Sequence, residues 1–294
     1  MPKPHKPQPK GPPNAQPKPQ PTHWGNVAEW YEDLVGEEGS DYHQHVIFPG
    51  LMRLLNLKHG ENKRVLDLAC GQGVLCRKLA LAGCKVTGID AAAPLIKFAQ
   101  QREKEDPLGI HYLTHDAIKL TDLIVPKPTP DPNPLVAGTF DIITIILAIQ
   151  NISPLSPVWQ ACQQLLAPHG QLHIVMMHPC FRIMKESDWQ WDQRGDSGGG
   201  GTQFRRIKSY LTSSKSDINM APGKAAAGKT AETTVTFHRP LQAYINTLGN
   251  AGLLIDHIDE WPSHRQPPQG IRFKELDRSR REIPMFLALR ARKT

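Results

Sequence analysis

Arg64-Val65-Leu66-Asp67-Leu68-Ala69-Cys70-Gly71-Gln72-Gly73 decides the fold: an apolar run carries one carboxylate and ends in two closely spaced glycines. Val65 to Leu68 reads as a strand that delivers Asp67 to its carboxyl end, and the glycines let backbone come close to a ligand. Val74 to Ala82 then reads as a helix whose first turn faces the same crevice. Lys85 to Asp90 reads as a second strand, and its terminal acid is placed to accept hydrogen bonds from a ribose diol. Strand, glycine bend, helix and acid-tipped strand together imply a bound nucleoside.

A dinucleotide site needs a third glycine for close helix–strand packing and a surface suited to pyrophosphate. Here the third position is Cys76, and Asp67 would repel a pyrophosphate yet suit a cation. The pattern therefore favours an adenosine bearing a positive amino-acid tail over NAD; a tight strand-to-helix turn with no ligand is the plainer alternative. The stretch resembles motif I of the class I S-adenosylmethionine-dependent methyltransferases, D/E-x-G-x-G-x-G, with Ala69 in the first glycine position. Within that superfamily the closest general likeness is to the UbiE-like, type 11 small-molecule enzymes.

The resemblance implies an α/β, Rossmann-like fold: a seven-stranded, mostly parallel sheet with an antiparallel edge strand, an N-terminal helical lid and a cap insertion after strand five. It implies S-adenosylmethionine as cofactor, with Asp67, Ala69, Cys70, Gly71, Gly73, Asp90, Ala91, Asp116, Ala117 and Leu147 as its contacts, and no metal. Ile110 to Thr114 reads as a third strand, followed by His115-Asp116-Ala117, and Phe140 to Leu147 as a fourth, ending in Ala148-Ile149-Gln150-Asn151. By resemblance Asp116 bonds the adenine amino group and Ala117 supplies a backbone contact; a plain helix N-cap is the alternative for Asp116. Leu165 to Leu172 is similar to the superfamily's entrance to strand five, L-L-x-P-G-G-x-L, with His169 replacing its first glycine.

Length and composition fit one globular domain with appendages: 294 residues, 39% hydrophobic. Residues 1–22 alternate proline with lysine and glutamine and read as a disordered tail whose Lys3, Lys6, Lys10 and Lys18 supply much of the formal +7 charge. Arg278, Arg280 and Arg281 form a second basic cluster, and no broad phosphate-tracking stripe remains. The boundaries expected are a lid over 23–61, a cofactor-binding core over 62–178, a cap over 179–239, and a closing helix and strands over 240–294. In the lid, helices are expected over 27–35 and 42–57, the second kinked or broken near Phe48 by Pro49. In the closing part, a helix is expected over 241–250 and strands over 253–260 and 285–290. The expected cap holds the flexible tracts Gly195–Gly201 and Ala225–Gly228; Pro126–Gly138 reads as a spacer loop. Five cysteines without a C-x-x-C pair read as reduced thiols. No apolar run is long enough to span a bilayer and no secretory core opens the chain, so a cytoplasmic protein is expected.

The chemistry implied is in-line displacement at a sulfonium methyl by an O, N or C atom of a small-molecule acceptor, driven mainly by positioning. Where the acceptor must lose a proton, His178 at the end of strand five, His238 after the cap, and His43 in the lid are the candidate bases. Trp30, Tyr31, Tyr42, Gln150 and Arg239 are the candidate substrate contacts, with Arg239 suited to an acidic group. Two other classes remain open: an RNA methyltransferase recruited through the basic tail, and a non-catalytic binding protein of methyltransferase-like fold. Against base methylation, the fourth strand lacks the N/D-P-P-Y/F turn that stacks a flipped base, and it lacks the Pro-Cys of cytosine C5 enzymes.

Overall fold

The computed structural model describes residues 24, 35–58, 61–128, 135–192, 201–219 and 233–294. The expected tail, nearly all of the expected 27–35 helix, and both glycine- and alanine-rich tracts lie outside these residues, Val35 and Gly201 excepted. In chain order the strands are β1 (Arg64–Leu68), β2 (Lys85–Asp90), β3 (His111–Thr114), β4 (Ile124–Val125), β5 (Leu135–Val136), β6 (Phe140–Ile146), β7 (Leu166–Met177), β8 (Ser187–Asp192), β9 (Thr202–Ile207), β10 (Ser214–Asn219), β11 (Thr233–His238), β12 (Leu253–Trp261) and β13 (Phe286–Lys293). The α-helices are α1 (Phe48–Leu55), α2 (Val74–Leu81), α3 (Ala93–Glu105), α4 (Ser156–Leu165), α5 (Leu241–Asn250) and α6 (Phe273–Glu282).

Seven strands form one sheet in the order β12-β13-β7-β6-β1-β2-β3. β1 lies parallel to both β2 and β6, so the chain builds outward through β2 and β3 and then returns to the other side of β1. That reversal opens a crevice at the carboxyl ends of the parallel strands. The expected closing pair is present, and its antiparallel member is the inner one: β13 runs antiparallel to β7 and to the rim strand β12.

β1 and β6 are apolar on successive residues because both faces of the sheet are covered. Leu66, Leu68, Ile143, Ile145 and Ile174 pack with Trp159 and Leu165 of α4 and Tyr244 and Leu248 of α5. Val65, Val86, Ile142 and Val175 pack on the opposite layer with Leu51 of α1, Leu75 and Leu79 of α2, and Ile96 of α3. Each such burial stabilises the sandwich by about 1.5–3 kcal/mol.

Ahead of the sheet, a π-helical turn over His43–Ile47 runs into α1. Pro49 stands in the first turn of α1, where its missing N–H costs no helical bond, and Asn56 at φ 46° ends the helix. Among the described residues of 179–239, β8 pairs antiparallel with β9 and β10 with β11. The backbone N–H of Gln203 in β9 donates to Glu275 Oε1 at 2.8 Å, and Ser279 Oγ donates to Gln203 Oε1 at 2.5 Å, docking the first pair on α6.

Candidate active site

From Leu68 the chain turns through Ala69 at φ 60°, Gly71 at φ 57° and Gly73 at φ 80°. A left-handed conformation costs an alanine about 1–2 kcal/mol, which explains why the motif prefers glycine at position 69. Cys70 N–H donates to Ile89 O at 3.0 Å, and Gly73 N–H to Cys70 O at 3.0 Å, so the bend is pinned to β2. Asp90 completes the pinning: Oδ2 accepts from Gly71 N–H and Oδ1 from Ala92 N–H, each at 2.8 Å. Burial pushes the Asp90 pKa up against those two bonds.

Asp67 takes a different position from the one its motif suggested. It is 2% exposed, opposite Thr144 in the β1–β6 register. Thr144 Oγ1 donates to its Oδ1 at 2.7 Å and Cys76 Sγ to its Oδ2 at 3.3 Å. Burial raises its pKa from 3.8 to about 6, opposed by the bonds from Thr144 and Cys76 and aided by the Asp90 charge. Asp67 and Cys70 border a void of about 40 Å³ behind the bend, shared with Ala69 and His43, and neither lines the main cleft. Gly73 does not line it either. A Cβ there would meet the ring of Tyr112, with Cε1 and Cζ at 2.8 Å, so this glycine serves close packing of side chain on backbone.

The main cleft has a volume of about 760 Å³, within the range of small-molecule sites. Ala69, Gly71, Asp90, Ala91, Asp116, Ala117 and Leu147 all line it. Leu147 is held at φ 54° just past the end of β6. Asp116 accepts from Ile118 N–H at 3.1 Å and so caps the 3-10 turn Ala117–Leu123, yet it also borders the cleft. The two readings of Asp116 are compatible.

The histidines separate clearly. His238 lines the cleft, and its Nε2 donates to the Tyr210 carbonyl at 2.7 Å, which leaves Nδ1 as a lone-pair acceptor. His43 also lines the cleft and bonds Ser40 Oγ through Nδ1 at 2.8 Å. Burial lowers its pKa to about 4, so it is neutral at physiological pH. His178 is absent from the cleft: Nδ1 accepts from Cys180 N–H at 3.2 Å, so Nε2 carries the proton that meets Glu260 Oε1 at 2.6 Å. With both ring nitrogens engaged, His178 is a buried structural residue.

Among the expected substrate contacts, Gln150 lines the cleft, but its amide brackets Met177, donating to the carbonyl at 3.1 Å and accepting from the N–H at 2.9 Å. Arg239 turns away, donating to Ile152 O at 2.8 Å and lying over the Phe237 ring. Tyr42 packs on Phe286 and His264 outside the cleft, and Trp30 and Tyr31 lie outside the described residues. The sequence reading missed Arg182, Ile183, Met184 and Ser187, which follow β7, and Arg205 of β9; all border the cleft. Their signal was available in the position of residues 179–239 after strand five, where inserted side chains overhang the ligand edge. Among the described residues one cluster has metal-ligand spacing, Asp41, His45 and His264; it stands outside the cleft, and Arg265 Nε already meets Asp41 Oδ2 at 2.9 Å.

Comparison with known proteins agrees with this geometry. The family model described as a methyltransferase domain matches residues 65–170. The ubiquinone biosynthesis O-methyltransferase of Chromobacterium violaceum is 33% identical over 108 residues, covering 37% of this chain and 41% of the relative. That of Bordetella pertussis is 32% identical over 108 residues, 37% of this chain and 40% of the relative. The matched stretch thus spans about two fifths of the length of these curated relatives. In overall fold, the crystal structure of an S-adenosylmethionine dependent methyltransferase from Mesorhizobium loti superposes with a TM-score of 0.57 at 24% identity, covering 84% of this chain and 97% of that one. Residues 65–170 are thus similar to a methyltransferase domain, and the strand order that carries them is the fold seen in that S-adenosylmethionine dependent methyltransferase structure.

Proposed function

We propose that the chain transfers a methyl group from S-adenosylmethionine to an O, N or C atom of a small-molecule acceptor by in-line displacement. The observation that carries this reading is the Asp90 carboxylate, fixed by two backbone amides on the cleft side of the left-handed bend. A carboxylate so held presents its remaining lone pairs to a ribose diol. The residues present fit the group: Asp90 for the ribose, Asp116 and Ala117 for the adenine, Ala69 and Gly71 for close backbone approach, and Leu147 as an apolar wall. When bound, the cofactor supplies a methyl already activated on a sulfonium.

The chain's own contribution is then orientation, exclusion of water and custody of a proton. Residues 182–185, Ser187 and the end of β11 border the cleft, and the segment 179–239 acts as the substrate cap in this reading. Residues 23–61 act as the lid, with His43 keeping a neutral ring against the cleft. His238 is the base for an acceptor hydroxyl, since its Nε2–H bond to Tyr210 fixes the tautomer that leaves Nδ1 free to take a proton. Oxygen as the attacked atom is supported by the O-methyltransferase relatives.

The test is incubation of the protein with methyl-labelled S-adenosylmethionine and fractionated cell extract. Label is expected in the small-molecule fraction and is expected to fall when Asp90 is replaced by alanine. Label confined to RNA, or no transfer to any fraction, overturns the reading.

A further inference from the structure

Two guanidinium groups border the cleft without an ion pair among the described residues. Arg182 Nε is buried with no hydrogen-bond partner, and the side chain forms no ion pair among the described residues. The hydrogen bonds of Arg205 go to neutral groups, Nε to Phe181 O at 2.9 Å and Nη2 to Ser187 Oγ at 2.9 Å, while the Asp188 carboxylate acts on it through its charge without an ion pair. The Trp189 ring holds both, with the guanidinium carbons of Arg182 and Arg205 at 5.6 and 5.3 Å from its centroid. Three other arginines are paired with acids. Arg206 sits on Asp188, Arg265 on Asp41 and Arg278 on Glu275. Burial and the adjacent Arg205 charge hold the Arg182 pKa down to about 10, which leaves both groups charged at neutral pH. The cleft's own carboxylates, Asp90 and Asp116, already accept backbone amides.

Keeping a pair of like charges half-buried at the wall of a cavity is costly, and a bound anion offsets that cost. We infer that Arg182 and Arg205 form the anion-binding part of this cleft, and that the methyl acceptor is a small molecule bearing a carboxylate. The inference rests on the methyl-transfer reading above and replaces Arg239, which faces away, as the holder of an acidic group. Arg205, fixed in place, supplies the rigid half of the site. Arg182, which lines the cleft without an ion pair among the described residues, supplies the second charge. Ile183, Met184 and Phe237 give the acceptor an apolar surface beside its charged end.

A carboxylate could reach this site from the acceptor or from the amino-acid tail of the cofactor, and two measurements on the full chain separate them. Calorimetry compares S-adenosylhomocysteine with 5′-methylthioadenosine, which lacks the tail, for wild type, Arg182→Gln and Arg182→Lys. Label transfer from S-adenosylmethionine is measured on a panel of hydroxy and amino acids, each beside its own amide. The expected result is labelling of acids over their amides, and a KM for acids raised about 30-fold or more in Arg182→Gln, partly recovered in Arg182→Lys. S-adenosylhomocysteine affinity is expected to hold within about twofold. Equal use of amides, or no labelled acid, overturns the inference. So does a selective loss of S-adenosylhomocysteine binding in Arg182→Gln with 5′-methylthioadenosine unaffected, which assigns the charge to the cofactor tail. Absence of S-adenosylhomocysteine binding by the wild type sinks the methyl-transfer reading itself, and this inference with it.

Discussion

Replacing Asp67 with asparagine removes a charge from behind the bend while keeping the shape and the acceptor that Thr144 Oγ1 meets at 2.7 Å. The carboxyl is 2% exposed and its pKa rises from 3.8 to about 6 on folding. A raised carboxyl pKa means that the folded state binds the proton more tightly than the unfolded chain does. Its contribution is therefore fully present below pH 3.8 and is lost as pH rises through about 6. At 1.36 kcal/mol per pKa unit, the ionised form costs the folded protein about 3 kcal/mol at pH 7.5 and about 1 kcal/mol at pH 4.5. Asp67→Asn is therefore expected to be more stable than wild type at pH 7.5 by up to about 3 kcal/mol, less whatever its amide loses against Cys76. That advantage should shrink by about 2 kcal/mol at pH 4.5. Urea unfolding of both proteins at the two pH values reads the difference directly, and thermal unfolding should show a shift on the order of 10 °C at the higher pH. A variant less stable than wild type at pH 7.5, or an advantage that does not change with pH, refutes the buried, proton-holding Asp67. Cofactor affinity supplies a second readout: a large loss in Asp67→Asn returns this carboxyl to the ligand.

Gly73→Ala should destabilise the protein by about 2–4 kcal/mol in urea unfolding, from the left-handed backbone and the collision with the Tyr112 ring; a loss under 1 kcal/mol, on the order of a surface change, counts against that packing. Tyr112→Phe should raise stability by about 1 kcal/mol, because the hydroxyl is buried without a partner; a loss of similar size would mean the hydroxyl is satisfied. With a hydroxyl acceptor, His238→Asn should lower kcat by about 100-fold or more while cofactor affinity holds, whereas His178→Asn should act through stability alone. An unchanged kcat in His238→Asn removes it as the base.

What the sequence made legible is what local chemistry decides. Residues 64–90 gave strand, bend, helix and strand because an apolar run, two glycines and a terminal acid specify them within a short span, and α5 matches its expected bounds through Pro240 and Gly252. His169 could replace a glycine because it adopts φ 65° itself. The misses are long-range. α6 is too charged to announce a buried face, and what holds it is β9, through Glu275 and Ser279. His178 looked available at the end of its strand until Glu260, 82 residues away, met it. The Arg278, Arg281 cluster looked like a basic patch, but Glu275 and Asp277 neutralise those two arginines within the same helix. Arg182 and Arg205 stand out only in three dimensions, because lining the cleft without an ion pair among the described residues is a tertiary property.

The claim beneath all of this is that Asp90, set at the tip of β2 against the bend, grips the ribose of an adenosine cofactor. Titration calorimetry of S-adenosylhomocysteine into wild type and Asp90→Ala tests it most directly. One site of roughly micromolar affinity is expected in the wild type, weakened about 10- to 100-fold in the variant, the value of one or two charge-assisted bonds. No binding to the wild type, or equal affinity in a folded Asp90→Ala, contradicts it.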